Sequence, residues 1–147
     1  MNEKSLRELL DSVSKGEVGT EEALARLRSL PFENLGFACI DHHRPLRQGL
    51  SEVIFGEGKS AHQIISIMER MVEQGDNVLV TRLSKEKSLR VIEKFPNSTY
   101  HNDARALTLL LHPVEQSGRG KILVISAGTS DIPVAQEAAV TARFMGN

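Results

Sequence analysis

Cysteine, long apolar runs and an excess of either charge are what this chain of 147 residues has little or none of. Its one cysteine, Cys39, excludes an internal disulfide framework and any cysteine-based zinc cluster. No run approaches the roughly 20 apolar residues that a membrane-spanning helix requires. Met1-Asn2-Glu3-Lys4 lacks the apolar centre of a secretory signal. The 18 Lys+Arg stand against 19 Asp+Glu, so bulk charge offers no attraction to nucleic acid or a polyanionic surface. A soluble cytoplasmic protein, with neither nucleic acid nor membrane as partner, is expected. At 40% hydrophobic residues the length suits one ordinary domain or two small ones.

What is present begins with a helical pair over residues 1–31. Leu6, Leu9, Leu10 and Val13 share one helical face. Gly16 and Gly19 interrupt, and Thr20 is placed to cap a second helix bearing Ala23, Leu24, Leu27 and Leu30 before Pro31. Residues 35–112 change texture. Apolar runs at Gly36–Ile40 and Glu52–Phe55 read as strands, and Ser60-x-x-Gln63 is a capping box opening a helix with Ile64, Ile65, Ile67, Met68, Met71 and Val72 inward. Gly75 ends it, Asn77–Thr81 reads as a buried strand, Ser84–Phe95 as a helix stopped by Pro96, and Ser98–His101 as a further short strand. This alternation predicts an α/β unit with a largely parallel sheet.

Glu115–Gly120 is polar and glycine-containing and reads as a boundary. Beyond it, Lys121–Ile125 is the clearest strand signal, followed by Ser126–Asp131 and a helix from about Ile132, with Pro133 in its first turn. Val134, Ala135, Ala138, Ala139, Ala142 and Met145 form a small-residue face predicted to pack on a sheet.

The Ala127–Asp131 turn joins strand to helix N-terminus, where free N–H groups and the positive dipole end favour an anion. Gly128 admits close backbone approach, and Thr129 and Ser130 supply hydroxyls. Two readings stand side by side: an anion cradle, or a helix capped by Ser130 or Asp131. Gly56-Glu57-Gly58-Lys59-Ser60 suggests a phosphate loop of the Walker type, but the glycine required five residues before Gly58 is Val53, which disfavours a nucleoside triphosphatase. Lys59 is left either to contact one phosphate or to stand in solvent. His42 and His43 would point to opposite sides of an extended chain, and no second histidine has ligand spacing, so no metal site is predicted. Arg44 and Arg47 would share a helical face, either clamping an anion or pairing with Glu52 or Glu57. Arg82, His101 and Arg105 follow strands, where α/β proteins place ligand contacts. Cys39, in an apolar run, reads as an inert buried thiol.

Ile122–Ala135 resembles the opening strand, loop and helix of the aminoimidazole ribonucleotide carboxylase family, whose loop at this point is Gly-Ser-x-Ser-Asp. Aligned on Ser130-Asp131, Ala127 stands at the glycine and Gly128 at the first serine. Gly36–Arg44, Arg47-x-Gly49 and Glu52–Lys59, taken with Ala127–Asp131, are similar to one branch of that family, the pyridinium-biscarboxylate mononucleotide synthases of nickel-pincer cofactor synthesis, the pathway serving lactate racemase. The resemblance spans essentially the whole chain. It implies carboxylation of the pyridinium ring of nicotinic acid adenine dinucleotide, with CO2 as co-substrate, and hydrolysis of the phosphoanhydride with release of AMP. An electron-poor ring attacks CO2 only after a nucleophile has added to it. The family is understood to use a cysteine of the carboxylase-like domain; no cysteine follows Ala127 here, and that role is not transferred to Cys39. Carried over are Ser130 and Asp131 as acid/base candidates, Gly128 and Thr129 as substrate contacts, and Arg44, Arg47 and Lys59 as anion contacts.

The expected architecture is therefore α/β: an N-terminal domain over 1–117, then residues 118–147 as the first strand–loop–helix of a three-layer parallel-sheet carboxylase-like domain, C-terminally truncated. By resemblance the partners are a dinucleotide substrate and further copies of the chain, in an octamer. No cofactor is required, and Mg2+ assistance at the phosphoanhydride is left open. The 147 residues alone are expected to lack carboxylase activity. Two other readings remain: a non-catalytic nucleotide-binding or assembly module, and a purine-pathway carboxylase, which Gly128 and the long N-terminal domain disfavour.

Overall fold

The computed structural model describes residues 3–27, 32–42, 44, 51–116 and 118–147. Two compact units make up the chain, Met1–Glu52 and Val53–Asn147.

In the first unit the expected helical pair forms as α1 (Glu3–Ser14) and α2 (Thr20–Leu27). Gly16 takes φ 74°, a left-handed position that glycine reaches without a Cβ clash, and its N–H donates to the Val13 carbonyl to close α1. Leu9 and Ala23 turn inward, while Leu10 and Leu24 stay exposed. Thr20 is already helical, with the Gly19 carbonyl accepting the first bond, from Ala23. Leu30 and Pro31 lie outside the described residues. A hairpin follows, β1 (Phe32–Asn34) antiparallel to β2 (Cys39–Asp41), with Phe32 opposite Asp41 and Asn34 opposite Cys39.

The predicted strand over Gly36–Ile40 is thus half turn. Asn34 Oδ1 accepts the Gly36 N–H at 2.8 Å, Gly36 sits at φ 82°, and Leu35 N–H donates to Ala38 O at 2.8 Å. Strand alternation then corrects the reading of Cys39. Ile40 takes the buried face, so Cys39 takes the exposed one.

The second unit holds β3 (Val53–Phe55), α3 (Ala61–Glu73), β4 (Val78–Thr81), α4 (Lys85–Lys94), β5 (Thr99–His101), β6 (Ala106–Leu109), a 3-10 turn (Thr129–Asp131) and α5 (Ile132–Phe144). The capping box forms as read: Ser60 Oγ accepts from Gln63 N–H, and Gln63 Oε1 accepts from Ser60 N–H. Ser84 caps α4 through the Lys87 N–H. Strands run in the order β3-β4-β6-β5. The fold is α/β, but the expectation of a largely parallel sheet is overturned. Only β3–β4 is parallel; β4–β6 and β6–β5 are antiparallel. The cause is local: a turn at 102–105 joins β5 to β6, too short for the crossover that parallel strands need.

α5 covers one face of the sheet, where Val140 meets Leu79, Ala104 and Ala106, with Val53 and Phe144 packed around them. The buried stripe is therefore Val140 and Phe144, four residues apart, and not the small-residue face; Val134 is half exposed. Lys121–Ile125 forms no strand: Ile122, Leu123, Val124 and Ile125 are 58, 81, 36 and 80% exposed, and these residues lie outside every ladder among the described residues. A strand meant for burial on both faces needs neighbours on both edges, and here it has none.

Arg105 occupies the β5–β6 turn at φ 49°, a position that disfavours L side chains by about 1–2 kcal/mol. Arg105→Gly should hold or raise stability by up to about 1 kcal/mol, and Arg105→Val should lower it by at least about 1 kcal/mol, read by urea unfolding. Equal stability of the two variants would remove backbone strain as the cause.

Candidate functional site

Four polar groupings carry candidate chemistry. In the first unit, pairing of β1 with β2 sets Glu33 beside His42. His42 is almost wholly buried, and its Nε2 lies 3.0 Å from Glu33 Oε2. Glu52 Oε2 accepts the Asp41 N–H at 2.9 Å. Among the described residues, His42 Nδ1 and Arg44 Nε are buried without a hydrogen-bond partner. The hairpin end is thus dense in hydrogen-bonding capacity, with a carboxylate already committed to the imidazole. Arg47, the other predicted anion contact of this segment, lies outside the described residues, as do His43 and Gly49.

In the second unit, the 56–60 loop departs from a phosphate cradle. Gly56 N–H is spent on Thr81 O at 2.8 Å, extending the β3–β4 pairing. Its carbonyl, with that of Glu57, accepts from Lys87 Nζ at 3.0 and 3.1 Å. A Cβ on Gly56 would stand 3.0 Å from Thr81 O and 3.2 Å from Val80 Cγ1, so this glycine serves strand approach. Lys59, predicted as an anion contact, turns back to donate to Phe55 O at 3.2 Å. The loop presents carbonyls to a lysine of its own chain, the reverse polarity to an anion nest.

The Gly128–Asp131 turn lies open. Gly128 is extended, Thr129, Ser130 and Asp131 are exposed, and neither Ser130 nor Asp131 accepts a helix N–H through its side chain. The capping alternative is therefore not realised. Ser130 Oγ donates to Asp131 Oδ1 at 3.5 Å. Pro133 lacks a donor, as expected for the first turn.

The residues following strands divide. Arg82 Nε donates to Glu137, 2.8 Å to Oε2 and 3.2 Å to Oε1, tying β4 to α5. His101 Nε2 lies 3.0 Å from Thr108 Oγ1 across the β5–β6 pair. Burial, and next the Arg143 cation, lower the His101 pKa below its ordinary 6.5. Burial raises Tyr100, opposed by Arg105, and the Tyr100 hydroxyl donates to Leu83 O. Sequence reasoning does not single out Glu33, Thr108, Glu137 or Arg143; the first two take their roles from partners across a hairpin, and the last two from contacts distant in sequence. Among the described residues no three carboxylate, imidazole or thiol groups are gathered where they could hold a metal ion. Nor is any helix among them long and apolar enough to cross a membrane.

Comparison with known proteins gives two findings. A family model described as a LarB/PurE-like N-terminal domain matches residues 32–111. An uncharacterized protein of Methanocaldococcus jannaschii is 32% identical over 149 residues, covering 97% of this chain and 58% of its own length. The chain thus spans somewhat under three fifths of the relative it matches.

The His101 environment fixes a pH response. The folded ring resists protonation more than the unfolded one, so stability falls as pH drops through about 6.5 toward the lowered folded value. His101→Gln should flatten the fall in thermal midpoint between about pH 8 and about pH 5.5. An unchanged slope would show that the imidazole is not its source.

Proposed function

Because the chain belongs to the LarB/PurE-like N-terminal domain family, we propose that it is part of a carboxylase acting on the pyridinium ring of nicotinic acid adenine dinucleotide. In this reading CO2 is the co-substrate, a second ring carboxylate is formed, and the phosphoanhydride is hydrolysed with release of AMP. The working enzyme is a cytoplasmic homo-oligomer.

The observation that supports the reading is the open turn at the head of α5. Its hydroxyls and carboxylate are not consumed by capping, and they stand exposed at the positive end of the helix dipole. Such a turn suits a substrate rich in phosphate and carboxylate oxygens. Gly128 and Thr129 bind through backbone and hydroxyl. Ser130 orients the substrate, and Asp131 takes the proton lost from the ring carbon once the new C–C bond has formed. Addition of a nucleophile to the ring comes first, its expulsion after loss of that proton restores the pyridinium, and that nucleophile is not assigned to a residue of this chain. Arg44 remains an anion contact, supported by its unpartnered Nε. Arg47 keeps its proposed role by resemblance alone. Lys59 is the weakest of the three, its ammonium being held by Phe55 O.

In a full-length enzyme of this family carrying this segment, Ser130→Ala and Asp131→Asn should each lower CO2-dependent product formation by about a hundredfold or more. Calorimetry should show dinucleotide binding weakened less than turnover. Unchanged product formation would overturn the assignment of the loop. Dinucleotide binding with no turnover in the unsubstituted enzyme would favour the non-catalytic module.

A further inference from the structure

A cavity of about 160 Å³ lies between the C-terminal half of α5 and the β5–β6 pair, away from the Gly128–Asp131 turn. Leu110, Val114, Val140 and Phe144 give it apolar walls. Its remaining lining is His101, Thr108 and Arg143, one polar group from each of the three elements that form it. Among the described residues no carboxylate lines it. Arg26, Arg70 and Arg82 each have an acidic partner, but no carboxylate pairs with Arg143 among the described residues.

The polar lining is organised for an anion. The imidazole and the Thr108 hydroxyl share one hydrogen bond at 3.0 Å, with the tautomer setting the donor. With its pKa lowered the ring is neutral near pH 7, and among the described lining residues Arg143 carries the formal charge. Guanidinium is the cation that matches a carboxylate as a two-point donor. An apolar cavity of roughly 150 Å³ accepts a benzene ring, which sets the size of the apolar body.

We propose that this cavity binds a small organic monocarboxylate of about benzoate size, its apolar body against Val140 and Phe144 and its carboxylate on Arg143 beside Thr108. The site is independent of the carboxylase reading, since no residue of the Gly128–Asp131 turn takes part.

The test is an amide-resolved NMR titration of the 147-residue chain with benzoate and with benzamide, its uncharged counterpart of the same shape. Benzoate should shift His101, Thr108, Leu110, Val140 and Phe144, and bind about tenfold more tightly than benzamide. Arg143→Gln should bring benzoate down to the benzamide level while the thermal midpoint holds, because the side chain has no carboxylate partner to lose. Absence of shifts at millimolar benzoate would overturn the site, as would shifts centred elsewhere, equal binding of the two compounds, or insensitivity to Arg143→Gln. Shifts of the same residues on dilution of the protein alone would assign the cavity to a second copy of the chain, and would also overturn it.

Discussion

Burial of β4 on both faces is the constraint from which the rest of the second unit follows. Val78, Leu79 and Val80 are all wholly inaccessible. A strand in that position needs hydrogen-bonded neighbours on both edges and side-chain layers on both faces. β3 satisfies one edge in parallel and β6 the other in antiparallel register. α5 supplies the layer over Leu79, and α3 packs against the same strand. Even the 56–60 loop answers to β4: Gly56 lacks a side chain so that its N–H can reach Thr81 O beside Val80. The resulting carbonyl geometry recruits Lys87 and leaves the loop unfit to cradle a phosphate.

What is legible in the sequence is what depends on near neighbours. Ser60 with Gln63, Ser84, Gly75 and Pro133 mark helix ends through contacts within four residues, and the helices begin or end beside them. The Asn34-Leu35-Gly36 turn is equally local, yet an apolar run beginning at Gly36 obscures it. β6 escapes a sequence reading although Ala106–Leu111 is apolar, because its place between β4 and β5 is set by a pairing with Val78–Val80 far back in the chain. The buried face of α5 is misleading for a related reason. Alanines mark close approach only where a surface approaches, and the sheet meets this helix at Val140 and Phe144.

The candidate site is legible in its residue types more than in their arrangement. Ser130 and Asp131 stand exposed at a helix start, where the motif places them. Lys59 does not stand free, since its own strand offers a carbonyl at the reach of its side chain. Arg82 is conspicuous for its place after β4, but its partner Glu137 lies 55 residues on and no local pattern announces it. Ligand spacing weighs His42 against a second histidine, whereas its partner is a glutamate across the hairpin.

Magnitudes decide what holds α5, and therefore where its two ends stand. A part-exposed ion pair such as Arg82–Glu137 contributes about 0–1 kcal/mol, while the left-handed backbone of Arg82, at φ 52°, costs about 1–2 kcal/mol. The pair therefore orients the helix more than it stabilises it. Burial of Val140 with the packing of Phe144 contributes more, of order 1.5–3 kcal/mol for each side chain fully removed from water. Both anchors lie in the C-terminal half, so the first turn lies beyond them. Asp131 and Arg143 are separated along the helix axis by about 18 Å, at about 1.5 Å per residue. A benzoate-sized ligand cannot span that distance. An anion at the open turn and a carboxylate in the cavity would thus occupy opposite ends of one helix, each leaving the other's contacts intact.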